Sequence, residues 1–212
     1  MPAVFVAFER SYEGVVRKIV RQLSGPYVHV EMVVTPETTQ RPAAYTSYMG
    51  ERFSKNHVCL SDESHDFLRI DVDAVEYDKL WRTCEALVLC KIPYNTTDVI
   101  LSIVPLRSPV DRPLDKCKSL FCSQAMVLIL RSCLEKNHAV AEVLNGINSR
   151  VVSPTALFDL LLPHAKQVQR RELVDAAPSA QAMIGLPQLS ATGARGSEPC
   201  AGGARSPPPL PR

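Results

Sequence analysis

The 212-residue chain lacks a long apolar run, a strong net charge and any closely paired cysteines, and each absence removes a class of function. No stretch approaches the roughly 18 apolar residues of a membrane span. The most apolar segment, Ala125 to Leu130, is far shorter. The formal net charge of +2 offers little to nucleic acid or an anionic surface, so neither is an expected partner. The opening residues MPAVFVAFER have no basic stretch before their apolar run, which breaks at Glu9, so they do not read as a secretory leader. None of the seven cysteines forms a CxxC pair, which speaks against structural zinc, and no serine sits in a GxSxG context. An odd cysteine count without a leader reads as free thiols in a reducing compartment, so the expected location is cytoplasmic, not secreted.

Hydrophobic residues make up 46% of the chain, enough for one core, and charged residues make up 22%. Residues 176 to 212 hold seven of the 17 prolines and five of the nine glycines, and no aromatic residue. Such a composition buries too little apolar surface to offset the entropy of ordering. We therefore expect a folded body over residues 1–165 and a Pro/Gly-rich, disordered tail over 166–212. The end of the tail, Pro208-Pro-Leu-Pro211, fits PxxP and could serve an SH3-type partner.

Within the body, Ala3 to Phe8 suits a buried strand, and Ser11 to Leu23 has helical spacing before Gly25-Pro26. Tyr27 to Val34 is rich in β-branched residues. Shorter strand candidates follow at Ala43 to Tyr48, Asn56 to Leu60 and Phe67 to Val72. Asp73 and Glu76 have capping-box spacing ahead of a helix with an apolar stripe of Val75, Leu80, Trp81, Cys84, Leu87 and Val88. Three prolines between 105 and 113 mark a loop. A second strong helix is expected from Ser119, and a short one after Ser153-Pro154. Strands dominate the first half and helices the second. This order predicts an α+β domain with an antiparallel sheet packed against helices.

Two segments carry chemistry. Cys122 lies in the first turn of the second helix, where unpaired N–H groups and the helix dipole favour a thiolate and can hold an oxyanion. His29 sits in an apolar strand, and strand alternation puts Glu31 on its face, as a base and an orienting carboxylate would be placed. The remaining histidines, His57, His65, His138 and His164, have no partner at ligand spacing and read as surface or loop residues.

Four pieces, taken in order, form a pattern: Val28-His29-Val30-Glu31-Met32-Val33, Pro93-Tyr94-Asn95, Cys122-Ser123-Gln124-Ala125-Met126 and Ser153-Pro154-Thr155-Ala156-Leu157. The chain resembles the circularly permuted NlpC-like branch of papain-fold cysteine hydrolases. That branch includes YiiX-type proteins, predicted proteases of large DNA viruses and relatives of lecithin:retinol acyltransferase. The histidine precedes the cysteine, the reverse of unpermuted papain-like enzymes. The resemblance implies a papain-like fold, Cys122 as nucleophile and His29 as base. It also implies a cleft near Tyr94, Asn95, Ser123 and Gln124, the last standing where the family usually has an acidic residue.

In the family the third catalytic residue lies on the strand after the histidine strand, where this chain offers Thr46 and Ser47, with Glu51 just beyond. Glu31 is our choice from the sequence. The implied activity is hydrolysis of a peptide, amide or acyl ester through an acyl-enzyme, with no metal or organic cofactor. Acyl transfer or thioester cleavage on lipids is the first alternative, and a non-catalytic module recruiting partners through its tail is the second. Viral relatives share this compact layout, so a virion or host-cytoplasm setting is among the expectations.

Overall fold

β-Branched and aromatic side chains fill both faces of a pleated sheet, and in this chain they build its centre. The structure is a computed structural model, and it describes residues 2–10, 15–35, 42–48, 50–56, 60–103 and 110–175. The first strand, β1 (Ala3–Glu9), is buried along its whole length. It lies between β2 (His29–Val34) and β5 (His65–Asp71) in a six-stranded sheet. β3 (Ala43–Ser47) and β4 (Phe53–Asn56) extend the sheet on one side, and β6 (Lys166–Val168) on the other. Every pairing is antiparallel.

Alternation sorts the strand residues between two cores. Val4, Val6, Phe8, Val30, Met32, Val34, Tyr45, Leu68 and Ile70 pack with the helices in the larger one. Ala3, Phe5, Ala7, Val33, Ala44 and Phe67 face the opposite side, with Leu60, Val168 and Leu173. The helices that feed the larger core are α2 (Ala74–Cys90), α4 (Cys122–Cys133), α5 (Ala139–Asn145) and α6 (Pro154–Leu161). α1 (Val15–Ser24), α3 (Thr96–Ile103) and the short α7 (Glu172–Asp175) complete the set among the described residues.

The start signals work as the sequence implies. The Asp73 carboxylate accepts from the Glu76 N–H at 2.7 Å, while the Glu76 carboxylate accepts from the Asp73 N–H at 3.1 Å. Ser153 caps α6 by accepting from the Ala156 N–H, with Pro154 in the first turn. α2 ends on Lys91 in the left-handed region, φ 50°, two residues before Pro93. α4 begins at Cys122 rather than at Ser119. The reason is backbone pairing: Leu120 donates to Pro93 O and accepts from Asn95 N–H, which holds it extended.

The α+β expectation, with an antiparallel sheet and helices packed on it, matches the structure. Residues 57–59 of the strand expected at 56–60 lie outside the described residues; a strand just before them, Phe53–Asn56, pairs with β3, Phe53 opposite Ser47. One expectation moves. The body does not end at 165. Lys166–Val168 add an edge strand to β5, and Leu173 is buried in the smaller core, so residues 166–175 belong to the fold and not to the tail. Composition averages over a window and misses a short edge strand. The remainder of the tail, with its PxxP sequence, lies outside the described residues. No helix among the described residues is long and apolar enough to cross a membrane.

Leu173 tests this boundary. Leu173→Ala should lower stability by about 2–3 kcal/mol in urea unfolding, the usual cost of truncating a buried leucine. An unchanged midpoint would return the segment to the tail.

Candidate active site

Cys122 is the first residue of α4 and is only 4% exposed. Three backbone N–H groups, of Val30, Ser123 and Cys122 itself, act on its sulfur. The Val30 contact brings the start of α4 against β2, one residue after His29. The sulfur thus lies by the peptide group that follows His29. Val30 belongs to the helix-facing core, so alternation sends the His29 side chain from the other face of the strand.

On that face His29 has a fixed surrounding. Its Nε2 lies 2.9 Å from Thr46 Oγ1. The Thr46 hydroxyl proton goes to Val30 O, also at 2.9 Å, so Thr46 accepts from His29 Nε2–H. That bond selects the tautomer in which Nδ1 carries the lone pair. Glu31, 1% exposed, stands with Oε1 3.7 Å from Nε2. Glu31 also accepts a hydrogen bond from the Tyr48 hydroxyl. The Tyr48 ring stacks on the imidazole at 4.2 Å between centroids and 19° between planes.

The hydrogen bond that orients His29 therefore comes from Thr46, on the strand after the histidine strand, and Glu31 acts at longer range. The polar face that a lone histidine strand might show to solvent is buried. A signal for Thr46 and Tyr48 was available: both lie on the expected strand at the two-residue spacing that shares a face.

The other candidates divide. The backbone of Tyr94 is bridged in parallel to Leu120, two residues before Cys122, and burial first and the Cys122 charge second raise its phenol above the usual range. Asn95 is not aimed at the thiol, because its side-chain oxygen accepts from the Asp98 N–H at 3.0 Å at the start of α3. Ser123 is likewise structural, donating to Val152 O at 2.6 Å. Gln124 is buried, and its side-chain oxygen makes no hydrogen bond among the described residues.

His65 is not a surface residue. It is buried at the start of β5 beside Glu9, and burial holds its pKa below the usual value. His138 caps α5, accepting from the Val140 N–H at 3.2 Å, and His57 lies outside the described residues. A recess of about 420 Å³ runs between Asp111–Leu114 and the α4 residues Leu128, Arg131 and Ser132, apart from all of these candidates. Among the described residues no group of three or more His, Cys, Asp or Glu could hold a metal ion.

The electrostatics of Cys122 differ from the helix-start expectation. Burial outweighs the three N–H groups, and the nearby Glu31 charge adds to it, so the thiol is pushed up to about 11. The resting group is a thiol, and a base must remove its proton at the moment of attack.

No family model matches the chain. No curated protein matches it either. Among solved structures, one titled as the metalloprotein YiiX from Escherichia coli O157:H7 (DUF1105) is similar in part. The match has 14% identity and a TM-score of 0.41, and covers 79% of this chain and 96% of that chain.

The raised thiol has two measurable consequences. Alkylation of Cys122 by iodoacetamide should climb about tenfold per pH unit beyond pH 9, where an ordinary thiol levels off. Because the folded thiol holds its proton more tightly than the unfolded one, its stabilising effect is complete below about pH 8.5 and is lost as pH rises towards the folded value. Thermal unfolding should therefore fall less steeply above pH 8.5 in Cys122→Ala than in the parent.

Proposed function

We propose that this protein is a thiol hydrolase of peptidase or amidase type on a permuted papain-like fold, with Cys122 as nucleophile and His29 as base. One observation carries the reading: the Cys122 sulfur meets the backbone N–H of Val30, the residue after a histidine whose Nε2 is held by Thr46. In this reading the base and its orienting group stand one residue along β2 from the backbone that the sulfur approaches.

The chemistry proceeds as follows. His29 Nδ1 takes the thiol proton as the Cys122 sulfur bonds to the acyl carbon, and the carbonyl π electrons move to oxygen. N–H groups at the start of α4 stabilise that oxyanion. Collapse restores the carbonyl and expels the leaving group, which takes the proton from His29. Water, deprotonated by the same imidazole, then attacks the thioester and frees Cys122. Thr46 keeps Nε2–H occupied throughout, and the Glu31 carboxylate favours the imidazolium formed on the way.

p-Nitrophenyl acetate and short N-acyl peptides test the reading. Cys122→Ala should reduce turnover to the buffer rate. His29→Ala should reduce it by about 10²–10⁴-fold and abolish the acid limb of the pH profile. Thr46→Val, which keeps the volume and removes the acceptor, should cost about tenfold through loss of the tautomer. Equal turnover in the parent and Cys122→Ala would exclude the thiol mechanism and return the protein to the binding-module alternative.

A further inference from the structure

The recess at the far end of α4 takes no part in the chemistry above. Its volume is about 420 Å³, within the roughly 300–1,000 Å³ of small-molecule sites. Pro113, Leu114 and Leu128 give it an apolar wall. Its polar lining is bonded in a fixed order. Arg131 Nη1 donates to Asp111 Oδ2 at 2.7 Å, and Nη2 donates to the carbonyls of Leu144 and Ile147, each at 2.7 Å. Asp111 Oδ1 accepts from Ser149 Oγ at 2.5 Å and from the Arg112 N–H at 3.2 Å. Burial acts to raise the Asp111 carboxyl, but the hydrogen bonds from Ser149 and Arg131 outweigh it and hold the group below the usual carboxylate range. Asp111 and Arg131 are therefore an occupied pair with no net charge. The Arg112 guanidinium is exposed, and it makes no hydrogen bond or ion pair among the described residues. The lining thus carries one positive charge in excess, beside an apolar wall.

We propose that this recess binds a small-molecule carboxylate with an apolar body, the carboxylate on Arg112 and the body against Leu114 and Leu128. The planar guanidinium fork matches the two oxygens of a carboxylate. The Asp111 charge close by disfavours a dianion such as a phosphate monoester, because like charges at short range repel. A cation would meet Arg112, and an uncharged apolar molecule would take water from the guanidinium without replacing its hydrogen bonds. Arg131 is tied to Asp111 and to two carbonyls, so that side of the recess is ordered before a ligand enters, and little of the binding energy goes into ordering it. The recess shares α4 with Cys122, but Leu128 stands about 9 Å further along the helix axis. Binding there needs no thiol, and the proposal is independent of the hydrolase reading.

The experiment titrates the full chain with 2-naphthoate and with its uncharged counterpart 2-naphthamide, followed by backbone amide NMR shifts. The acid should bind saturably, about 5–10-fold more tightly than the amide, with shifts centred on residues 111–114 and 128–132. Added salt should weaken the acid and spare the amide. Arg112→Ala should lower affinity for the acid by that same factor and leave the amide within about twofold; its side chain is exposed and unbonded, so the fold should be kept, and the spectrum reports this directly. Ser132→Trp, which fills the recess from an exposed position on α4, should lose both ligands. Cys122→Ala should bind both as the parent does. Equal affinity for acid and amide would reduce the recess to an apolar surface, and unchanged binding in Arg112→Ala would put the anion elsewhere. Shifts confined to other residues, or no saturation with either ligand, would leave the recess without a ligand of this class. Each of these results overturns the proposal, and none of them bears on Cys122 as a nucleophile.

Discussion

The backbone of Leu120 joins the two halves of this molecule. Its N–H goes to Pro93 O, and its carbonyl accepts from Asn95 N–H and from Ser47 Oγ, the latter at 3.1 Å. One residue thereby ties the 93–95 turn and strand β3 to the start of α4. Both of its peptide groups are buried and could not remain unpaired without cost. With Leu120 held extended, the helix cannot begin before Phe121, and Cys122 falls in the first turn. Ser47 neighbours Thr46 in β3, so the same tie fixes the strand that orients His29. Tyr94 is set by the turn on the other side.

Burial and the helix start act against each other at Cys122. Three N–H groups favour the thiolate, but removal from water and the Glu31 charge disfavour it more. The outcome is a thiol at rest. In the mechanism proposed above, the same Glu31 charge assists the base that it stands beside. Tyr48 contributes on the same face by stacking on the imidazole and donating to Glu31.

Much of the fold was legible because its elements follow local rules. β1 is apolar throughout because it is central and covered on both faces. Asp73 with Glu76 and Ser153 with Pro154 announce their helices through groups a few residues apart. The elements that escaped are those without such signals. α3 and α5 are short, and their starts are capped by Asn95 and by His138, the latter an uncommon cap. β6 has three residues in a stretch whose neighbours resemble a tail.

The sequence by itself determined the α+β class, the register-independent face shared by His29 and Glu31, and the place of Cys122 near a helix start, since each depends on spacing along the chain. Only the tertiary structure decided that Thr46 rather than Glu31 hydrogen-bonds the imidazole, that the Tyr94 backbone pairs with Leu120 while Asn95 and Ser123 serve the backbone, and that the thiol is raised and not lowered. Those outcomes depend on distances between segments far apart in the chain and on how completely water is excluded, and neither quantity is written in local pattern.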